Sequence, residues 1–597
     1  MQFNETSKSV TQTIFDTHKD DSSQLAVIQS EEDRLLVEAP AGYGKTATLV
    51  SRLAYMLANG NIQNYTRVLA LTFSVNAAYK IKKDVITQLP LLLDKQRKED
   101  IKRMFVSNYH GFSRYLLSKY GYLLNSNLKQ INSFNTFDDS SIENLMTQFK
   151  IEQSEAFFIS DFNDKIKKSD VQYIENNIEK YNAFVIKKFV QNNCIPYNGI
   201  LSLVIKLLRE FPNVQNFYSK YFSTVIIDEF QDTNYLSYTV VKSLIGSSTK
   251  LFFLGDSLQR IYGFIGAVPG LMDKAVNEFD LTRMELKTNH RFKDNAEMLV
   301  LDKNIRENAR DPYNPNIQKD AHINHQLLNN QEEEANFILD TIGHLQKHDP
   351  TASITILVKQ RNRNTQAIVS TLETRETPFF NGLFSDEDSE YIDFCKDCLI
   401  EFNVGLSKGK SFRNALSYMS QQVERNFSKS KKPLYISFNR LLKVFCAYIQ
   451  REYRFLSPEE KIDLVRETLD HNGLKQYMQY LDSKISITTV HGAKGLEWDY
   501  VIIPDMEAYN FPNYYGLCGN CSPNSKKMCE LELQPSIEDK YLEELSVFYV
   551  AVTRARKDVF FTSSREQINF SGQNVRRNIS CFLKLSGVFL KNINQLS

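Results

Sequence analysis

Short apolar runs alternate with longer amphipathic stretches through the first half of the chain. The runs lie at residues 34–38, 67–73, 224–227 and 250–255. Continuous apolar runs of this length are typical of strands buried on both faces of a parallel sheet, and the stretches between them have the spacing of helices. The pattern therefore predicts alternating strands and helices.

The same pattern begins again after residue 280. The apolar runs there read RMELK, ITILVK, ISITTV, WDYVII and DVFFTS. Strands that alternate with helices form parallel sheets covered by helices on both faces. We therefore expect an α/β protein with two such sheets, one in each half of the chain.

Length and composition narrow the class of protein. A chain of 597 residues is too long for one hydrophobic core, so three or four domains are expected. No apolar run is long enough to span a bilayer, and the polar start lacks a secretory signal. We expect a cytoplasmic protein that does not enter membranes, with its eight cysteines reduced.

Charge is nearly balanced, with 72 Lys and Arg against 71 Asp and Glu. The whole molecule therefore has little net field to attract a polyanion, and any nucleic-acid contact must be local. The clearest basic stretch covers residues 408–443, where nine basic residues face one acid, Glu424. It is either a solvated helical surface or a patch that follows a phosphate backbone.

A glycine-containing loop follows the first apolar run, in the string RLLVEAPAGYGKTATLV. Strand, loop and helix in this order are typical of a P-loop, in which backbone N–H groups surround phosphate oxygens at a helix N-terminus. Lys45 would supply a cation to the β- and γ-phosphates, and Thr46 a hydroxyl to Mg²⁺. The residues expected to contact the nucleotide are Ala39, Pro40, Ala41, Gly42, Tyr43, Gly44, Lys45 and Thr46.

The run TVIIDEFQD places Asp228 and Glu229 at the carboxyl tip of a buried strand. Ligands of open α/β sheets bind at this edge. We expect Asp228 to hold the Mg²⁺ shell and Glu229 to orient or deprotonate the attacking water.

The third run leads into DSLQRIYGFIGA, which combines a polar side chain with aromatic rings. Gln259 is placed to sense the γ-phosphate, while Tyr262 and Phe264 offer flat faces to nucleic-acid bases. Other strand exits carry further candidates for contact with DNA. These are Phe73, Tyr109 and His110.

Two sheets with a single P-loop indicate ATP held in a cleft. The second sheet would then contribute arginines that neutralise the charge developing on the γ-phosphate. Arg291 and Arg554 fit that role.

A series of strings, in this order, resembles the UvrD/Rep/PcrA helicases of superfamily 1. The strings are QLAVI, APAGYGKT, ALTFSVNAA, NYHGF, VIIDEFQDTN, LGDSLQRIYGFIGA, TNHRF, VHGAKGLEWDYVII and YVAVTRAR. The resemblance implies two RecA-like P-loop NTPase domains and ATP-driven movement in the 3′ to 5′ direction on single-stranded or tailed duplex DNA. It further implies that Gln24 reads adenine, Glu497 contacts the ribose, Gln259 couples hydrolysis to DNA, and Arg291 and Arg554 act as arginine fingers.

The family also implies a mainly helical insertion in each RecA-like domain. The expected divisions are a first domain at 1–111 and 216–280 with its insertion at 112–215, and a second at 281–379 and 481–597 with a shortened insertion at 380–480. About 40 residues follow Arg554, and they contain no nuclease constellation.

Several positions depart from the family pattern. His290 stands where relatives stack a Tyr on adenine, which leaves the choice of nucleotide open. The others are Ala47 and Ile265, each in place of a basic residue, and Leu545 and Ser546 in place of two arginines.

The sequence leaves three questions about the role of the chain: its pathway, whether it unwinds a duplex, and whether it acts on DNA or RNA. It is either a helicase of DNA repair or one of an antiphage module such as Gabija, which has a separate nuclease subunit. The alternative to unwinding is a DNA-activated ATPase sensor that regulates such a nuclease. An RNA-directed motor is disfavoured because the motifs are those of the DNA group.

Cys518, Cys521 and Cys529 have the spacing of three ligands of a zinc site, but no fourth ligand is nearby. We therefore interpret them as free thiols in a loop. Cys395 and Cys398 fall in an apparently helical run and are interpreted as packing residues.

Overall fold

The computed structural model describes residues 2–593 except 64, 94–97, 262–265, 387, 428–432, 513–532, 534 and 569–571. Side chains are not described at 2–8, 98–99 and 433. The chain divides between Thr288 and Asn289 into two compact units. Each unit is built around its own parallel sheet.

The described part of the first unit contains a six-stranded sheet in the order β3-β2-β6-β7-β1-β8, with every pairing parallel. A separate parallel pair joins β4 to β5. The strands are β1 Arg34–Glu38, β2 Arg67–Thr72, β3 Met104–Asn108, β4 Asn135–Phe137, β5 Cys194–Pro196, β6 Phe222–Ile227, β7 Lys250–Gly255 and β8 Thr282–Glu285.

Helices cover both faces of this sheet, as its continuous apolar strands require. They are α1 Gln2–His18, α2 Ser22–Gln29, α3 Lys45–Ala58, α4 Val75–Leu92, α5 Lys98–Ile101, α6 Tyr109–Tyr120, α7 Ile142–Gln148, α8 Gln153–Lys167, α9 Val171–Phe184, α10 Tyr197–Glu210, α11 Pro212–Tyr221, α12 Tyr235–Leu244 and α13 Leu271–Phe279. One buried cluster unites side chains of the sheet, such as Leu69 and Phe253, with side chains of α8 and α9, such as Phe162 and Tyr181. The helices between β3 and β6 therefore share a core with the sheet.

The described part of the second unit contains an eight-stranded sheet. Its main path is β11-β12-β10-β13-β14-β9-β16, all parallel, and β15 pairs antiparallel with β14. The strands are β9 Ala321–Asn330, β10 Ile354–Val358, β11 Phe380–Gly382, β12 Ile485–Thr489, β13 Trp498–Ile503, β14 Ala555–Ile568, β15 Asn574–Arg576 and β16 Val588–Asn592.

The helices of the second unit follow the same alternation up to β11. They are α14 Ala296–Arg310, α15 Gln331–His348, α16 Arg363–Thr374, α17 Ser389–Ser407, α18 Phe412–Phe427, α19 Pro433–Glu452, α20 Pro458–Asp470 and α21 Glu538–Val552. The four from α17 to α20 come between β11 and β12 and form the helical insertion. Cys395 and Cys398 are buried in α17, as predicted.

The α/β class with parallel sheets flanked by helices is confirmed. Assignment of RMELK to the second sheet was wrong: β8 pairs in parallel with β1, so the first unit continues to Thr288. β11 likewise pairs with β12, which places residues 380–382 in the second sheet rather than in the insertion. The predicted limits at 112 and 215 fall inside α6 and α11.

No helix within the described residues is both long and apolar enough to cross a bilayer.

Candidate nucleotide site

The loop between β1 and α3 has the backbone of a phosphate-binding loop. Gly42 and Gly44 adopt φ of 84° and 77°, a left-handed region that favours glycine. Gly44 is the N-cap of α3 and supplies no side-chain cap, so the first-turn N–H groups are not capped by its side chain. The first residue of the loop is bound to the sheet, because the Ala39 amide donates a hydrogen bond of 2.7 Å to the Gly255 carbonyl of β7. The helix N-terminus is thus suited to phosphate oxygens.

Lys45, the first residue of α3, lies between the two carboxylates that follow β6. Its Nζ is 2.5 Å from Glu229 Oε1 and 3.7 Å from Asp228 Oδ1. Burial alone would lower the pKa of Lys45, but the two carboxylates outweigh it and hold the pKa above its usual value. The ammonium group therefore stays charged at every physiological pH.

Asp228 has an oxygen suited to a cation. Its side chain is buried, and Oδ1 has no hydrogen-bond partner. Burial raises the pKa of Asp228, while Lys45 opposes the rise. A buried carboxylate oxygen without a donor is a fitting ligand for a hard divalent cation. Thr46, the second residue of α3, carries the hydroxyl assigned to the same ion.

Glu229 is held in a left-handed conformation, with φ of 53°. Its Oε2 accepts a hydrogen bond of 2.6 Å from Gln231 Nε2. Gln231 Oε1 accepts from the Asp256 amide at 3.1 Å, and Asp256 Oδ2 accepts from Gln259 Nε2 at 2.7 Å. The predicted catalytic residues Lys45, Asp228, Glu229 and Gln259 therefore belong to one network. Gln231 and Asp256 were missed, because nothing in the strings around them indicates that they join the two motifs.

Gln24 lies beside the loop, on α2, and is 4 % exposed. Asp21 caps α2 through its side chain, and Gln24 Nε2 donates to the Tyr43 carbonyl at 3.2 Å. Gln24 Oε1 contacts His18 Nδ1, and His18 Nε2 lies 2.8 Å from Ser51 Oγ. Because an amide oxygen only accepts, Nδ1 carries the proton in this arrangement. Sequence reasoning missed His18, since a lone histidine ending a helix carries no motif.

In the second unit, the structure brings Arg291, Glu497 and Arg554 together. Arg291 forms a close ion pair with Glu497 and also donates to the Thr553 carbonyl. Arg554 is 3 % exposed and donates to the carbonyls of Val550 and Leu496 at 3.0 and 3.2 Å. Burial would raise the pKa of Glu497, but the arginines outweigh it and lower the pKa. The two predicted fingers and the predicted ribose ligand thus form one cluster.

The expected DNA contacts have different outcomes. Tyr109 is 2 % exposed, and its hydroxyl is 2.9 Å from Thr233 Oγ1, so its ring belongs to the core and a contact with DNA stays a prediction. Phe73 and His110 are half-buried just after the carboxyl ends of β2 and β3, and their roles stay predictions. Tyr262 and Phe264 lie outside the described residues.

The structure shows the surroundings of four of the five positions that depart from the family pattern. His290 and Ala47 are exposed, whereas Leu545 is buried in the core and Ser546 donates to the Leu542 carbonyl at 2.7 Å. Burial explains the apolar Leu545, because an unpaired arginine there would be costly. Ile265 lies outside the described residues.

Part of the basic stretch is described. Lys408 donates to the Tyr418 hydroxyl at 2.8 Å, and Lys443 pairs with Glu424 at 2.8 Å on the surface. Lys429, Lys431 and Lys432 lie outside the described residues, as do Cys518, Cys521 and Cys529. Within the described residues, no group of three His, Cys, Asp or Glu side chains is arranged to hold a metal.

Comparison with known proteins finds similarity along most of the chain. The UvrD/REP helicase N-terminal domain matches residues 20–280, and the UvrD-like helicase C-terminal domain matches residues 402–566. The chain is 24 % identical to a probable DNA helicase II homolog of Mycoplasma genitalium, over 88 % of this chain and 82 % of that protein. It is 23 % identical to the ATP-dependent DNA helicase PcrA of Leuconostoc citreum, over 91 % and 81 %. It is 22 % identical to the ATP-dependent DNA helicase Rep of Buchnera aphidicola, over 92 % and 93 %.

The two domain models together cover more than two thirds of the chain and match its two halves in order. The P-loop and the two carboxylates lie within the first matched range, and Glu497 and Arg554 lie within the second. The chain belongs to the UvrD/Rep/PcrA-like superfamily 1A DNA helicases.

Proposed function

We propose that this helicase uses ATP and Mg²⁺ to move 3′ to 5′ along single-stranded DNA and to separate a tailed duplex. The observation that carries the proposal is the network of Lys45, Asp228, Glu229 and Gln259 beside an uncapped helix N-terminus. Lys45 binds the β- and γ-phosphates, while Asp228 Oδ1 and the Thr46 hydroxyl hold the magnesium ion. Bound Mg²⁺ neutralises negative charge on the phosphates.

Glu229 has the chemistry of a group that orients water. One of its oxygens pairs with Lys45 and the other accepts from Gln231, so its carboxylate has a defined orientation. Placing a water in line with the γ-phosphate is the main task of a protein in phosphoryl transfer, because positioning and electrostatics supply most of the rate. Gln24 binds the base, and Glu497 the ribose. Arg291 and Arg554 stabilise the charge on the γ-phosphate in the transition state.

The test is DNA-stimulated ATP hydrolysis and duplex unwinding by the full chain and its Lys45→Ala variant. We expect the wild-type chain to unwind a 3′-tailed duplex and to leave a 5′-tailed duplex paired. Lys45→Ala should abolish both activities, because the phosphates lose their cation. Unwinding that starts only from 5′ tails would refute the direction, and equal activity of the two chains would refute the site.

The same assay separates the helicase from a sensor. ATP hydrolysis and DNA binding without any strand separation by the isolated chain would favour a DNA-activated ATPase that regulates a nuclease. For the cellular role, we propose DNA repair or antiphage defence in the cytoplasm. A nuclease that co-purifies with the chain from its native cells would assign it to a machine with a separate cutting subunit.

A further inference from the structure

Gln231 joins two parts of the nucleotide site by its side-chain amide. It is 2 % exposed, and both ends of the amide are used. Nε2 donates to Glu229 Oε2 at 2.6 Å, and Oε1 accepts from the Asp256 backbone amide at 3.1 Å. A buried amide satisfied at both ends has a fixed orientation, because turning it would leave a carboxylate facing an oxygen and an N–H facing an N–H.

The Glu229 end bears on the hydrolytic step. Glu229 occupies a left-handed conformation that is uncommon for a residue with a side chain. Lys45 holds Oε1, but the same ammonium group is assigned to the phosphates in the proposed function. The amide of Gln231 is neutral and is not assigned to the nucleotide. It can therefore keep the carboxylate in place when Lys45 turns to the phosphates.

The Asp256 end bears on the segment that leads to the predicted DNA contacts. Asp256 caps the short 3-10 helix Ser257–Gln259, accepting from the Leu258 amide at 3.2 Å and from Gln259 Nε2 at 2.7 Å. Residues 262–265, which include the predicted base-stacking rings, follow closely in the chain. A shift of this helix moves the Asp256 amide and, with it, the acceptor end of Gln231.

The residue preceding Asp256 shows how closely Gln231 fits. A Cβ atom built on Gly255 would lie 2.8 Å from Gln231 Oε1 and 3.4 Å from its backbone nitrogen. A Cβ atom does not approach another heavy atom to 2.8 Å, so any larger residue at 255 displaces the Gln231 amide. The strand end of β7 thus leaves just enough space for Gln231 to span from one motif to the other.

We propose that Gln231 is a positioning residue that links the short helix Ser257–Gln259, which leads to the predicted DNA contacts, to the carboxylate assigned to orient water. It transmits a displacement of Ser257–Gln259 through the Asp256 amide to Glu229, so that DNA binding sets the geometry for hydrolysis. The inference rests on the proposed function, since it requires Glu229 to orient water and DNA to stimulate the ATPase.

Two variants test it. Gln231→Leu removes both hydrogen bonds and keeps a similar volume. Gln231→Glu retains an acceptor for the Asp256 amide but sets a carboxylate against Glu229. For both, we expect kcat at saturating single-stranded DNA to fall about 10–100-fold, the usual cost of a misplaced catalytic group, with the KM for ATP little changed. Stimulation by DNA should fall toward none in Gln231→Leu. Gly255→Ala should act in the same direction, because its methyl group displaces the same amide.

Gln567→Leu is the matched control. Gln567 is likewise buried and donates to a buried carboxylate, Glu507 Oε2, at 2.8 Å, but it lies on β14 of the second unit. We expect this variant to be less stable than wild type and to keep its kcat and DNA stimulation. This separates loss of stability from loss of coupling.

The outcomes distinguish the inference from the proposed function. If wild type shows no DNA-stimulated hydrolysis that depends on Lys45, the proposed function fails. If wild type shows it and Gln231→Leu keeps the same kcat and stimulation, only the role of Gln231 is overturned. An equal loss of kcat in folded Gln567→Leu, or a loss in the Gln231 variants that comes entirely from a raised KM, would also overturn it.

Discussion

Arg52 is a buried cation that ties the start of the chain to the P-loop helix. It lies on α3, two turns after Lys45, and is 3 % exposed. Its guanidinium donates to four backbone carbonyls in the segment from α2 to β1, and it lies 5.2 Å from the ring centroid of Phe252. Burial lowers the pKa of Arg52 to about 10, with Asp33 opposing the shift, so the group remains charged at neutral pH. Arg52→Met keeps the apolar volume and removes every donor.

The cost follows from the fate of the carbonyls. Those of Ser30 and Glu32 lie near the surface and can bind water instead. The carbonyls of Val27 and Ile28 belong to fully buried residues. Each one left without a donor lowers the free energy of unfolding by about 1–3 kcal/mol. We therefore expect the free energy of unfolding of the first unit to fall by about 4 kcal/mol. At ~2–4 °C per kcal/mol for a unit of this size, the midpoint of thermal unfolding should fall by about 10 °C.

The single tryptophan allows the two units to be observed separately. Trp498 is buried in β13 of the second unit, so its fluorescence reports that unit, whereas far-ultraviolet circular dichroism reports both. We expect Arg52→Met to lower the midpoint of the transition of the first unit, which is the one seen by circular dichroism but not by tryptophan fluorescence. Arg209→Met is the control, because Arg209 forms an exposed ion pair with Glu175 at 3.0 Å, which is worth less than about 1 kcal/mol. Equal midpoints for Arg52→Met and Arg209→Met would refute the reasoning.

Three further predictions concern pH, nucleotide choice and backbone conformation. Burial, together with the nearby buried Glu334, raises the pKa of Asp505 from its usual 3.8 to about 7. Asp505 therefore favours the folded state below pH 4, and this contribution is lost as the pH rises to 7. Because Glu334 and Glu507 also have raised pKa values, the midpoint of thermal unfolding should fall between pH 4 and 8 in both chains but less in Asp505→Asn, and equal falls would contradict the role of Asp505. His18→Leu removes the hydrogen bond that orients the Gln24 amide. The preference for ATP over GTP, measured as the ratio of the two kcat/KM values, should then fall about fivefold, which corresponds to the loss of a hydrogen bond worth ~1 kcal/mol. An unchanged ratio would show that His18 does not orient the amide. Gly587→Ala should destabilise the second unit by about 2–4 kcal/mol in denaturant unfolding, because φ at Gly587 is +77° and a Cβ atom there would lie 2.5 Å from Ile317 Cγ2. Gly409→Ala, at φ +71° but with open space around the Cβ position, should cost only about 1 kcal/mol, and equal losses would contradict the steric argument.

Local chemistry made the nucleotide site predictable from sequence. A P-loop needs contiguous residues at fixed spacing, and the strand ending in Asp228 and Glu229 carries its own signature of a buried parallel strand. The structure accordingly places Lys45 beside both carboxylates, while their roles toward a nucleotide stay predictions. The cluster of Arg291, Glu497 and Arg554 could be predicted only because each residue belongs to a family motif. Some 200 residues separate Arg291 from the other two.

Long-range pairing and burial could not be predicted in the same way. The strand at Thr282–Glu285 looks like the first strand of a new sheet, and only its hydrogen bonding to β1 assigns it to the first unit. Tyr109 sits in a motif string and carries a ring suitable for stacking, but tertiary packing buries that ring. His18 and Gln231 have no spacing signature, because their roles arise from contacts between elements distant along the chain.

The shared core of the first unit has a consequence for how this protein can be divided. Phe162 and Tyr181, from helices between β3 and β6, are packed in the same apolar cluster as Leu69 and Phe253 of the sheet. Those helices include α6, whose Phe112 ring centroid lies 5.7 Å from that of Phe105 in β3 and 5.8 Å from that of Phe222 in β6, so excising them would expose aromatic side chains of the sheet to water. The intervening segment is therefore not a detachable module, and shortening or exchanging it between relatives requires compensating changes on the strands beneath.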